Sequence, residues 1–155
     1  MKILVTGGAG YIGNTIAFAL ADAGYHPVIL DEQPAQVHET FTSFDYYQGD
    51  IADKTLLTTI VKAHPEIQLV IHCADKIDVS ESTVKPELYY TNNFSKSVTM
   101  VNHLIDLGVK KLILSGTASL YNSEVAYSFD EDATPNPTSP YARSKYFLEL
   151  ALRDI

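Results

Sequence analysis

Gly7, Gly10 and Gly13 recur at three-residue spacing between an apolar run, Lys2 to Val5, and a helical pattern that starts at Tyr11. A strand that turns on glycines into a helix is the geometry that holds a dinucleotide pyrophosphate. The backbone can approach the phosphates with no Cβ in the way, and the helix start offers unpaired N–H groups and a positive dipole end. The spacing is wider at its start than the Gly-x-Gly-x-x-Gly fingerprint, with Gly8 also inside the turn. Gly7, Gly10, Tyr11, Ile12 and Gly13 are therefore candidate cofactor contacts. Asp31 closes the second apolar run, and no lysine or arginine lies between Lys2 and Lys54. An acid at this distance accepts hydrogen bonds from the adenosine ribose hydroxyls, whereas a 2′-phosphate needs a cation, so NAD is expected rather than NADP. Asp50 and Ile51, after the third run, are placed to hold the adenine by a side-chain contact and an apolar cover.

A second segment, Ser139-Pro140-Tyr141-Ala142-Arg143-Ser144-Lys145, carries acid–base chemistry. Ser139 suits a helix N-cap, Pro140 the first helical position, and Tyr141 then lies in the first turn, where the dipole favours a phenolate. Lys145 follows one turn later on the same face, and its ammonium stabilises the phenolate and makes a usable base.

These residues need a scaffold, and the chain supplies one by alternation. Apolar runs at Lys2 to Val5, Pro27 to Leu30, Asp45 to Gln48, Leu69 to His72 and Lys111 to Ser115 are separated by helical patterns at Tyr11 to Ala23, Asp53 to His64 and Pro86 to Leu107. Repeated β-α succession implies an α/β fold, a doubly wound parallel sheet of Rossmann-like type with helices on both faces. Glu32 to Phe44 has weak periodicity and reads as a short helix or a loop. Asn122 to Pro140, with three prolines among polar residues, reads as a surface loop.

With 155 residues, 46% of them hydrophobic and 19% charged, the chain is expected to form a single NAD-binding domain over 1–155. A formal net charge of -8 disfavours a nucleic-acid backbone as partner. The single cysteine, Cys73, excludes an internal disulfide, and five scattered histidines lack ligand spacing, so no metal site is expected. No leader or membrane-length apolar segment is visible, which places the expected location in the cytoplasm with no membrane partner.

The chain resembles the extended short-chain dehydrogenase/reductase superfamily, and within it the UDP-glucose 4-epimerases. The resemblance rests on Thr6-Gly7-Gly8-Ala9-Gly10-Tyr11-Ile12-Gly13, Gly49-Asp50-Ile51, Val70-Ile71-His72-Cys73-Ala74, Ser80-Glu81-Ser82 with Lys85-Pro86 and Tyr89-Tyr90-Thr91-Asn92-Asn93, Ser115 to Tyr121, and Ser139-Pro140-Tyr141 with Lys145. It implies that Tyr141 is the catalytic base, that Lys145 also binds the nicotinamide ribose, and that the Thr117 hydroxyl assists proton movement. It further implies that Asn92, Cys73 and Ala74 contact the cofactor, and that a UDP-sugar is epimerised at C4 through a 4-keto intermediate. Sugar-nucleotide dehydratases place an Asp-Glu pair after the position of Thr117, where this chain has Ala118-Ser119. A non-catalytic NAD-binding module and another sugar-nucleotide oxidoreductase of the superfamily are the alternatives.

Three positions depart from the family pattern. Asp75 stands where a glycine or another small residue is usual and adds volume and charge beside the cofactor. Ile77 replaces a frequent lysine, with Lys76 adjacent, and Asn122 replaces a glycine. Family members continue for roughly as many residues again, so the chain is expected to lack the C-terminal substrate-binding part. The edge of the strand Lys111 to Ser115 is then expected to be exposed and available for a homo-oligomer or for pairing with a second polypeptide.

Overall fold

The computed structural model describes residues 1–35, 44–121, 130 and 132–155. They form two compact units, Met1–Asp75 with Thr99–Ser115, and Lys76–Val98 with Gly116–Ile155.

The first unit is a parallel five-stranded sheet of β1 (Lys2–Thr6), β2 (His26–Asp31), β3 (Asp45–Gln48), β4 (Leu69–His72) and β5 (Lys111–Leu114), in the order β3-β2-β1-β4-β5. The register is continuous: Val5 lies opposite Ile29 on one side and Ile71 on the other, and Ile71 opposite Ile113. Ile3, Val5, Ile29 and Ile71 pack with Ala9 and Ala17 into one core, joined by Ile16 and Leu20 of α1 (Tyr11–Asp22). Side chains alternate across a strand, so Leu4, Val28, Leu30 and Val70 point to the opposite face. They too are buried, at 1% exposure or less. Burial of both faces is why these runs are continuously apolar, and it makes the sheet doubly wound, as expected. α2 (Lys54–Ala63) starts on Asp53, whose carboxylate accepts from the N–H groups of Thr55 and Leu56. β5 is an edge strand among the described residues, with Ile113 half exposed.

The second unit is helical: α3 (Val79–Val84), α4 (Pro86–Tyr89), a π-helical turn (Tyr90–Ser95), the first residues of α5 (Lys96–Asp106), a 3₁₀ turn (Ala118–Leu120) and α6 (Pro140–Asp154). α6 starts as anticipated, with Pro140 in the first turn and the Ser139 hydroxyl accepting from the N–H of Ala142 at 3.1 Å. The stretch expected as one helix from Pro86 to Leu107 is helical over Pro86–Asp106 but carries the π turn within it. α3 had no counterpart in the sequence reading. It is about one and a half turns of Val, Ser and Thr with one acid, Glu81, too short for periodicity to register, and only its cap Asp78 signals it. Most of Glu32 to Phe44, and Asn122 with the first half of the proline-rich segment, lie outside the described residues.

Candidate functional site

In the first unit the glycine turn sits at the carboxyl end of β1, between strands that continue the order in opposite directions, the switch point where open α/β sheets bind ligands. Gly7 takes φ +72°, a left-handed conformation that its successor positions depend on, and a Cβ there would meet the backbone of Cys73 and Ala74 at 2.5 Å. Its N–H donates to the carbonyl of Leu30, and its carbonyl accepts from Gly10 at 3.1 Å. Gly13 packs its Cα directly over the same Gly7 carbonyl, leaving no room for a side chain.

Gly10 caps α1 with no side-chain hydrogen bond, and no acid stands in the first turn. The first N–H groups of this helix are thus offered outward. Beside them Tyr11 is 89% exposed and Ile12 52%, large side chains standing in solvent at the start of α1.

Asp31, at the end of β2, is buried. Oδ2 accepts from the N–H of Ala9 in the glycine turn and Oδ1 from the N–H of Gln33, both at 2.9 Å. Each oxygen keeps a lone-pair site for a ribose hydroxyl, so the residue both fixes the turn and can bind a ligand. Its charge is felt locally: burial first, and the Asp31 carboxylate second, push the Tyr46 hydroxyl up to about 12. Tyr46 donates that hydrogen to the carbonyl of Gln33 at 2.6 Å. Gly49 N–H donates to the Asp31 carbonyl, which brings Asp50 alongside. Asp50 accepts from the N–H of Ala52 in a tight turn, and Ile51 is buried. Cys73 and Ala74 follow β4 and back Gly7, and Cys73 N–H donates to the carbonyl of Thr6. Asp75, next in the chain, is half-buried, with one carboxylate oxygen closed off from solvent.

A turn that only glycine can make, an uncapped helix start and a buried carboxylate at the end of β2 fit a dinucleotide diphosphate with a free ribose 2′-hydroxyl. No lysine or arginine faces the place of a 2′-phosphate from β2 or β3.

In the second unit Tyr141 and Lys145 lie one turn apart on α6, 9% and 1% exposed. A lysine is almost never buried to that degree without partners. Thr117 caps the 3₁₀ turn, its hydroxyl accepting from the N–H of Ser119 at 3.2 Å, and this turn packs on α6. Ala118 and Ser119 are exposed. The Asn92 carboxamide donates to the carbonyl of Leu88 in its own helix.

The neighbouring Asn93, which the sequence reading did not single out, is fully buried and joins three segments. Its Oδ1 accepts from the N–H of Lys76 at 2.8 Å, and its Nδ2 donates to the Lys76 carbonyl at 2.9 Å and to the Ser144 hydroxyl at 3.3 Å. Ser144 in turn donates to the carbonyl of Tyr141 at 2.7 Å. The π turn decides which asparagine faces inward, because one extra residue per turn rotates the side chains that follow.

Strand order, glycine turn and acidic residue define the first unit as a Rossmann-type dinucleotide-binding fold. Over residues 3–155 the sequence matches the model of the NAD dependent epimerase/dehydratase family, and the chain belongs to that family, whose cofactor is NAD. It is 40% identical over its whole length to a UDP-glucose 4-epimerase of Yersinia pestis, of which it covers 48%, and 38% identical over 99% of its length to one of Azospirillum brasilense, of which it covers 44%. Among solved structures it superposes with a TM-score of 0.92 and 33% identity on a UDP-glucose 4-epimerase from Stenotrophomonas maltophila with bound NAD and formylated UDP-arabinopyranose, covering 99% of this chain and 48% of that one. The chain thus spans about half the length of the curated relatives it matches. No helix among the described residues is long and apolar enough to cross a membrane.

Proposed function

We propose that this chain is the NAD-binding and acid–base part of an enzyme that inverts C4 of a UDP-hexose, UDP-galactose or UDP-glucose, through a 4-keto sugar. The observation that carries this reading is the pairing of Tyr141 and Lys145, both buried, on one face of a capped helix against which the Thr117 turn packs. NAD, when bound, supplies reversible acceptance of hydride from the sugar carbon.

The chain's own residues do the rest. The glycine turn and the start of α1 hold the pyrophosphate, with Tyr11 and Ile12 beside it, and Asp31 binds the adenosine ribose and repels a 2′-phosphate. Asp50 and Ile51 bound the adenine side, and Cys73, Ala74 and Asn92 contribute further contacts. Tyr141 removes the proton of the sugar 4-hydroxyl and later returns it. The Lys145 ammonium stabilises the phenolate and holds the nicotinamide ribose, and the Thr117 hydroxyl passes the proton. Ala118 and Ser119 offer no acid or base for action on a neighbouring carbon, which favours epimerisation over dehydration.

The second reading is a module or fragment that binds NAD without turnover. Calorimetry with NAD and NADP, followed by a UDP-galactose to UDP-glucose conversion assay on the wild type and Tyr141→Phe, separates the two. Conversion lost at least about 100-fold in Tyr141→Phe with NAD affinity retained supports the enzyme. NAD binding without wild-type conversion selects the module, and no NAD binding refutes both.

A further inference from the structure

Resting on the reading of Tyr141 as the acid–base group, we infer that Tyr89 and Glu81 are its positioning residues, holding the plane of its ring through a tether to α3. Tyr89 ends α4 and is completely buried, and its ring meets that of Tyr141 edge to face, with centroids 6.3 Å apart and planes at 85°. The Tyr89 hydroxyl reaches across to α3. It donates to Oε2 of Glu81 at 3.0 Å, and Oε1 of the same carboxylate accepts from Lys85 Nζ at 3.2 Å. Glu81 is itself anchored, because its N–H is bound by the Asp78 cap at 2.9 Å. The carboxylate therefore sits at the end of a fixed helix start, and its charge-assisted bond pins the Tyr89 oxygen, fixing where the ring stands against Tyr141, while complete burial bounds how the ring turns about its own axis.

The torsion that sets an aromatic ring plane is otherwise broad and two-fold. Tyr141 has its main chain fixed by Ser144 and by α6, whereas its ring orientation is bounded by what packs against it. A base must keep its oxygen within hydrogen-bond reach of the proton it takes, and a misplacement of about 1 Å costs on the order of 100-fold in rate. The segments Ser80-Glu81-Ser82 and Lys85-Pro86 with Tyr89, which carry the family resemblance but no assigned role in the reaction, acquire one here: they set the wall against which Tyr141 rests.

The test uses the full chain with ¹³C-labelled tyrosine, the Tyr141 ring signals being assigned with Tyr141→Phe, and is read without cofactor. Tyr89→Phe keeps the wall but removes one oxygen, and the Tyr141 ring is expected to flip about fivefold faster, the rate equivalent of a weakened aromatic pair. Tyr89→Leu is expected to abolish the ring-current shift of Tyr141. Glu81→Gln, which still offers an oxygen to the Tyr89 hydroxyl, is expected to stay within about twofold of the wild type, a rescue by chemistry and not by charge. Unchanged Tyr141 shifts and flip rates in folded Tyr89→Phe and Tyr89→Leu overturn the inference, and Tyr89→Phe alone decides it if Tyr89→Leu does not fold. Calorimetry of the wild type with NAD is run in parallel. A chain that binds no NAD overturns the functional reading, and the two failures are distinct because the ring response is measured in its absence.

Discussion

Replacing Gly13 with alanine tests the phosphate cradle at its tightest point. The added Cβ falls well inside contact distance of the Gly7 carbonyl oxygen and lies 2.8 Å from both the Gly7 carbonyl carbon and the Gly8 Cα. All three are main-chain atoms in a turn, so no side chain can swing aside. Ordinary contact is restored only if the turn or α1 moves by about 1 Å. Crowding of this kind costs about 1–3 kcal/mol. The Gly7 carbonyl also accepts from Gly10 N–H at 3.1 Å, and displacing it forfeits about 1 kcal/mol more. A loss of about 2–4 kcal/mol is therefore expected, which at this chain length lowers Tm by about 5–15 °C in thermal denaturation followed by circular dichroism. NAD affinity, read by calorimetry below the new Tm, is expected to fall at least about tenfold, the equivalent of one phosphate hydrogen bond. Gly10→Ala is the comparator, since its Cβ meets only the Gly7 oxygen at 3.3 Å. A Gly13→Ala chain with wild-type Tm and NAD affinity, or one no worse than Gly10→Ala, refutes the cradle.

Asp31→Ala is expected to cost about 1–3 kcal/mol by orphaning the buried N–H of Ala9, and to erase the preference for NAD over NADP, both readable by denaturation and calorimetry. Asn93→Ala removes three hydrogen bonds at a fully buried position and is expected to cost about 2–4 kcal/mol, whereas Asn92→Ala, with one bond to Leu88, costs about 1 kcal/mol or less. Urea midpoints of the two variants rank them. Burial first, and the bond to Glu81 second, push the Tyr89 hydroxyl up to about 12, so its contribution to stability is present below the ordinary tyrosine value of 10 and disappears as pH rises from there through about 12. Glu81 runs the other way. Its hydrogen bonds to Lys85, then to Tyr89, hold the carboxyl below its ordinary 4.5, so that contribution is present above this value and lost as pH falls below it. Tm measured across both windows for the wild type and Tyr89→Phe checks the signs, since the variant should show a shallower alkaline decline, with the share of Tyr46 remaining.

The elements that position the site were legible where local rules and global packing agree. The glycine turn, the Ser139-Pro140 helix start and the five strands follow from backbone sterics, capping and runs of apolar residues, which act over a few neighbours and are visible as spacing. The distinction between Asn92 and Asn93 was not legible: adjacent residues of identical chemistry differ only in which way a π turn points them. Nor was Asp31's bond to Ala9, which joins residues 22 apart and exists because β1 and β2 are paired in register.

From sequence alone come the β-α alternation, the preference for NAD that Asp31 and the missing cations express, and the placing of Tyr141 and Lys145 on one helical face. Tertiary structure decided which of these groups are buried, that the Asp31 carboxylate is already bonded to the glycine turn, and that Tyr89 stands against Tyr141 on a tether from Glu81. The physical reason is range. Helix phase and strand alternation are written in consecutive residues, while burial and ring-to-ring contact arise only when distant segments share one desolvated space.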